Sequence, residues 1–149
     1  MKNLVLALVL LLSVFSVQAA EGMINVESQF TVSDTADRLE KILKSKGMTV
    51  FNRIKHSESA EKVGVELRAT ELIIFGNPKA GSPMMKCQQS MAIDLPQKAL
   101  IWKDGSNKVW LSYNDLMYLA KRHELKGCDK PLAKVSQVLA KISQAATTK

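Results

Sequence analysis

The alternation of apolar and polar residues predicts strands and helices in turn along the chain. The pattern at 23–32 predicts a strand. Ser33 or Asp34 then caps a helix whose apolar residues share one face until Gly47 ends it. A second strand at 48–54 follows, so the two kinds of element alternate.

A third strand is predicted at 66–75. Its residues 72–75 are apolar without a break, which is typical of a strand covered on both faces. Gly76 ends this strand. The polar segment that follows lacks the spacing of a nucleotide-binding loop, so we expect a turn there.

The second half of the chain predicts a hairpin and two helices. Strands at 98–103 and 108–113 flank an Asp-Gly-Ser-Asn turn, whose residue types tolerate tight backbone angles. Asp115 caps a short helix that runs to His123, and Asp129 opens the last one. These elements predict an α+β fold, with a mainly antiparallel sheet of about five strands and helices packed on it.

The N-terminal segment has the pattern of a secretory signal peptide. Lys2 gives it a positive start, and the apolar run at 4–14 is shorter than the roughly 20 residues that cross a bilayer. Small residues then predict a cut between Ala19 and Ala20. We therefore expect residues 20–149 to form one domain in the bacterial periplasm that is not an integral membrane protein.

The formal net charge of +7 is spread along the chain. The basic residues form no run of five and are not interleaved with aromatic residues, so a nucleic-acid groove is not expected. A solvated basic surface is the simplest interpretation. Weak attraction to anionic lipid or cell-wall polymer is the alternative.

Several separated motifs resemble a known family. His56 is followed in order by ELRATELIIFGNPKAGSPMM, DLPQKALIWKDG and VWLSYNDLMYLAKRH. This order is similar to that of domain-of-unknown-function family 302 (DUF302) over about 24–123. The resemblance implies a compact α+β domain, often a dimer, with no agreed activity. The chain departs from the family pattern at Ala69, Ser82 and Leu116, and none of these changes removes a candidate functional group.

Cys87 and Cys128 are the two cysteines of the chain. An oxidising periplasm favours their pairing, so a disulfide is predicted. Two reduced, buried thiols remain an alternative, as does a redox or metal role. No C-x-x-C spacing supports thioredoxin-like chemistry.

Polar residues crowded between the apolar elements suggest a ligand pocket. The leading hypothesis is a non-catalytic dimeric domain that binds a small polar or anionic ligand, with no cofactor. Arg68, if buried, would need an acceptor, either Asp94 or Asp115 or a bound anion. The candidate ligand-binding residues are His56, Arg68, Thr70, Asn77, Lys79, Asp94, Tyr113 and His123.

Two other classes of function remain open. A copper or other metal site would use soft or borderline donors, for which the candidates are His56, Met85, Cys87 and His123. A hydrolase or redox enzyme would need a nucleophile beside a base. No such pair can be named from the spacing of residues, so whether the protein is an enzyme stays undecided, with the binding hypothesis preferred.

Overall fold

The structure, a computed structural model, describes residues 20–149, which form one five-stranded antiparallel sheet with helices. The strands are β1 (Met23–Ser28), β2 (Thr49–Lys55), β3 (Thr70–Gly76), β4 (Gln97–Lys103) and β5 (Val109–Asn114). Their order across the sheet is β1-β5-β4-β3-β2, and every neighbouring pair is antiparallel. The α+β prediction is confirmed.

Within the described residues, five α-helices connect or follow these strands. They are α1 (Val32–Ser45), α2 (His56–Glu61), α3 (Pro78–Cys87), α4 (Leu116–Arg122) and α5 (Asp129–Thr147), with a 3-10 helix at Gln89–Ile93. Within residues 20–149, none of them combines the length and apolar character that a membrane crossing requires. The predicted signal peptide lies outside the described residues.

One face of the sheet is covered by helices and forms the core. Ile73, Ile101 and Leu111 point to this face from the three central strands and are fully buried. Two amphipathic helices supply most of the cover. Their buried apolar residues include Ala36, Leu39 and Leu43 of α1, and Leu132, Leu139 and Ile142 of α5.

The opposite face of the sheet, here called the open face, is less buried. Leu72 pairs with Leu100, and Trp102 pairs with Trp110, and all four side chains are half-buried. No helix of the part of the chain described here covers them. The prediction that residues 72–75 are covered on both faces is therefore not met within one chain, because alternate residues of a strand point to opposite faces.

Several strand and helix ends differ from the prediction. Thr31, rather than Ser33 or Asp34, caps α1, because its side-chain oxygen accepts the Asp34 N–H at 3.1 Å. β3 begins at Thr70 instead of residue 66. Residues 66–69 are exposed and lie outside the strand. The hairpin and the Asp115 cap of α4 are confirmed.

The segment expected to be a turn after β3 is the helix α3. Asn77 caps it by accepting the Lys79 N–H at 2.9 Å, and Pro78 occupies the first turn, where its missing N–H costs no hydrogen bond. The predicted disulfide is confirmed and joins Cys87, at the end of α3, to Cys128, just before α5. These two helices are therefore linked covalently.

Candidate functional site

A groove of about 860 Å³ opens beyond the end of β3, between α3 and α5. Its volume falls within the roughly 300–1,000 Å³ of small-molecule sites. The apolar residues of its lining include Met48, Phe75, Met84, Val135, Val138 and Leu139. The groove therefore offers an apolar surface to any molecule that enters it.

Lysines surround this apolar surface. The lining contains Lys46, Lys79, Lys130, Lys134 and Lys141, all exposed to solvent. Within residues 20–149, no aspartate or glutamate lines the groove. Positive charge in a concave, partly apolar site raises the local concentration of anions.

The positions of these groups follow from local structure. On α5, Lys130 and Lys134 are four residues apart and so lie on the same side of the helix. Val135 and Val138 of the same helix add apolar side chains to the lining of the groove. The disulfide holds the α3 wall against the start of α5. The sequence analysis missed these α5 residues, although the regular lysine spacing could have indicated them.

A second cluster of polar groups surrounds His123, which is 8% exposed. Its Nε2 lies 2.6 Å from Asp94 Oδ2, and its Nδ1 lies 2.9 Å from Ser90 Oγ. Arg122 donates to the other Asp94 oxygen at 3.2 Å. The fold thus brings together two predicted residues, Asp94 and His123, and adds Ser90, which no sequence signal had marked.

The other predicted residues lie elsewhere. Arg68 is exposed and donates to the backbone oxygen of Lys103 at 3.1 Å, so the burial that would require an acceptor such as Asp94 or Asp115 is not present. The Thr70 hydroxyl donates to the Arg68 oxygen at 2.7 Å. A small surface pocket contains Arg68, but none of the other predicted site residues lines it.

Tyr113 and His56 also stand apart from the groove. Tyr113 is buried in the core, and this burial raises the pKa of its phenol. His56 is exposed at the start of α2. Asn77 and Lys79 are the members of the predicted set that line the groove.

The eight predicted side chains therefore do not converge on one pocket, and that part of the prediction is wrong. Thr70 and Asn77 show the reason, since they lie at opposite ends of β3. The strand between them is extended, and at about 3.3 Å per residue it separates them by about 20 Å. Residues that are close in sequence are far apart when a strand runs between them.

The histidines and the cysteine suggested for a metal site have other contacts or lie elsewhere, and Met85 lines the groove. Cys87 is bonded to Cys128, so its thiolate is not free to bind a metal. His123 contacts Asp94 and Ser90, whereas His56 lies in α2. Across residues 20–149, no group of three or more histidine, cysteine, aspartate or glutamate side chains is placed to hold a metal ion.

Curated relatives of the chain carry the name of a fluoride channel. The chain is 47% identical over 104 residues to the fluoride-specific ion channel FluC 1 of Brucella suis biovar 1 (strain 1330), covering 70% of this chain and 41% of the relative. It is equally similar to FluC 2 of Brucella melitensis biotype 1, of which it covers 38%. The chain thus spans about two fifths of the length of these relatives.

A solved structure and a family model also match. The crystal structure of an uncharacterized conserved DUF302 protein from Bacillus stearothermophilus superposes with a TM-score of 0.76 at 16% identity, covering 85% of this chain and 99% of that one. At this identity the match supports the fold alone. Residues 24–144 match the model of the domain of unknown function DUF302. The chain therefore belongs to the DUF302 family.

Proposed function

We propose that the protein is an exported binding domain whose groove holds an anion with an apolar body, such as a fatty carboxylate. The observation that carries the proposal is the combination of an apolar lining with five lysines and no carboxylate. A carboxylate head would meet lysine ammonium groups near the solvent. The hydrocarbon body would contact the valines and methionines beneath.

The energetics favour an amphiphile over a bare ion. Each methylene removed from water contributes about 0.8 kcal/mol. A single exposed ion pair contributes only about 0.2–1 kcal/mol. After the cost of association, a ligand of about twelve carbons should bind with a Kd on the order of 10 μM.

The similarity to proteins named as fluoride channels makes fluoride the competing ligand to test. Fluoride could interact with the lysines but would leave the apolar surface of the groove unused. Binding of fluoride without binding of an amphiphile would overturn the proposal. The chain would then bind the ion that appears in the name of these relatives.

The experiment is displacement of the fluorescent sulfonate 1-anilinonaphthalene-8-sulfonate from residues 20–149. Dodecanoate is expected to displace the probe, whereas dodecanol, which has the same chain without the charge, should displace it several-fold less well. Fluoride, measured in parallel with an ion-selective electrode, is expected not to bind. Equal displacement by dodecanoate and dodecanol would contradict the role given to the lysines.

Matched variants locate the site. Lys134→Ala together with Lys141→Ala should weaken dodecanoate binding about twofold to fivefold per lysine. The charge-matched control is Lys62→Ala together with Lys126→Ala, since neither lysine lines the groove. Val138→Asp should abolish binding by placing a carboxylate in the apolar lining. Equal losses in the control pair would exclude the groove.

We also propose that the domain is a homodimer, joined through the open face. The apolar part of this face includes Leu72, Leu100, Trp102 and Trp110, next to Ser112, and the charged side chains of Lys98 and Glu27 lie beside it. A second copy would present the same apolar surface, as a two-fold interface requires. The oligomeric state in solution tests this proposal.

Export to the periplasm is the last part of the proposed function. The pattern of residues 1–19 supports it, and so does the disulfide, since such bonds persist in oxidising compartments. Fractionation of the expressing bacterium should find the protein outside the cytoplasm, with an N-terminus at Ala20 by mass spectrometry. Recovery of the full-length chain from the cytoplasm would exclude this part.

A further inference from the structure

Ser90, His123 and Asp94 form a continuous hydrogen-bonded chain that the proposed groove does not use. Ser90 Oγ lies 2.9 Å from His123 Nδ1, and His123 Nε2 lies 2.6 Å from Asp94 Oδ2. An ionised carboxylate can only accept hydrogen bonds, so the proton of the neutral imidazole lies on Nε2. The lone pair of Nδ1 is then directed to the serine hydroxyl.

The surroundings keep this arrangement in place. His123 is buried and ends α4, whereas Asp94 follows the 3-10 helix that carries Ser90. Arg122 donates to the second oxygen of Asp94 at 3.2 Å, which helps to orient the carboxylate. Ser90 itself is exposed, so its hydroxyl can meet a molecule that arrives from solvent.

We propose that Ser90 is a nucleophile toward carboxylic esters, with His123 as its base and Asp94 as the residue that positions His123. Ser90 Oγ bonds to the ester carbonyl carbon while its proton passes to His123 Nδ1. The ester C–O bond then breaks, and His123 returns the proton to the leaving alcohol. Water then attacks the carbonyl carbon of the acyl-serine while its proton passes to His123 Nδ1. The bond between that carbon and Ser90 Oγ breaks, His123 returns the proton to Oγ, and the acid is released.

The geometry limits the substrate class. Ser90 does not line the groove, and it lies on the surface of the molecule. The substrate is therefore a small or flexible ester whose carbonyl reaches the surface without a deep acyl pocket. In serine hydrolases the serine meets Nε2 and the carboxylate meets Nδ1. Here the two nitrogens exchange these roles, which leaves the proton transfers unchanged.

A fluorophosphonate probe tests the nucleophile directly. Residues 20–149 are expected to form one covalent adduct, which peptide mass spectrometry should assign to Ser90. Ser90→Ala should lose the adduct and the hydrolysis of p-nitrophenyl acetate. The matched control is Ser45→Ala, an exposed serine whose hydroxyl donates only to the Ile42 oxygen, and it should react as the unaltered protein does.

Substitutions of the other two residues test their roles. His123→Gln should slow labelling by about 10²-fold, the lower range for a general base. Asp94→Asn should reduce the rate less and shift its pH profile, which a purely structural contact would not do. Circular dichroism of each variant establishes that it is folded, and Ser90→Ala remains decisive if the buried substitutions unfold the chain.

The outcomes separate this inference from the groove. Labelling of Ser90 no faster than that of Ser45, or ester hydrolysis that persists in Ser90→Ala, would overturn it. The cluster would then only tie the 3-10 helix to α4. Because Ser90 lies outside the groove, Ser90→Ala should leave dodecanoate binding unchanged, so that either proposal can fail without the other.

Discussion

The two faces of the sheet are made by the same strands and have different environments. On the covered face, Ile101 and Leu111 are fully buried beneath helices. On the open face, Leu100 and Trp102, from the same strand as Ile101, are half-buried. The strands are apolar on both sides, but the described chain supplies helices for one side only.

The open face also contains polar groups that are shielded from water. Ser112 is 1% exposed and accepts the indole N–H of Trp102 at 2.8 Å. Within residues 20–149, Asn25 Oδ1 is buried and has no hydrogen-bond partner. An unpaired buried acceptor is costly. The open face therefore combines half-buried apolar side chains with a buried acceptor that lacks a partner, and the covered face has helices over its apolar side chains.

The largest expected effect concerns α5, which covers one face of the sheet, and its covalent link to α3. Replacing Cys87 and Cys128 with alanine removes a bond that spans a sequence separation of 41 residues. The free energy of unfolding should fall by about 4 kcal/mol, because the unfolded chain regains the entropy of the open loop. Guanidinium unfolding of the variant and of the unaltered protein measures it. A loss below about 1 kcal/mol would mean that packing alone holds α3 to α5.

The next prediction compares the two faces directly. Leu111→Ala, on the covered face, should lower the free energy of unfolding by about 3 kcal/mol, since it leaves a cavity in a close-packed core. Leu100→Ala, on the open face, should cost less than about 1 kcal/mol in dilute protein, because its site is already partly open. Urea unfolding measures both. Equal losses would remove the distinction between the faces.

A charge on the open face should act on assembly rather than on folding. Leu100→Asp is expected to weaken the proposed dimer at least tenfold, since a carboxylate would be buried at the interface. Sedimentation velocity over a range of concentrations measures the change. The control is Ile93→Asp, at a site that is 72% exposed. A monomeric unaltered protein would contradict the dimer itself.

The smallest expected effect depends on pH at the edge of the open face. The Trp110 indole, which donates to Asp104 at 2.8 Å, lowers the pKa of this carboxyl, and backbone N–H groups add to the effect. A pKa lowered by folding stabilises the protein above about pH 4, and this contribution is lost as the pH falls through the lowered value. Asp104→Asn should therefore flatten the acid side of the stability curve, measured by thermal melts from pH 7 to pH 2. If the stability of Asp104→Asn falls with decreasing pH as steeply as that of the unaltered protein, other carboxylates cause the acid sensitivity.

Local patterns predicted much of the fold. The turn between β4 and β5 and the cap at Asp115 depend on residues next to each other in sequence, so they could be recognised without a structure. The helix α3 was missed because Gly81 and Pro83 lie inside it. Asn77 followed by Pro78 is nevertheless a helix-start signal that would have indicated it.

The candidate sites were harder to predict. Lysines on α5 and apolar residues of α3 form one groove only because the disulfide and the packing of both helices bring them together. Ser90 and His123 are separated by 33 positions, and neither the spacing nor the residue types around them indicate a contact. Such pairings depend on how strands and helices are connected in space.

The sequence by itself determined the α+β class, the hairpin, the disulfide partners and the DUF302 resemblance, because each follows from local residue preferences, cysteine number or ordered motifs. Only the tertiary structure decided that Asn77 and Lys79 share a groove with α5, that Arg68 lies apart from Asp94, and that Asp94 reaches His123. The physical reason is the extended strand. It carries consecutive motifs to opposite ends of the sheet, while antiparallel pairing brings distant ones together.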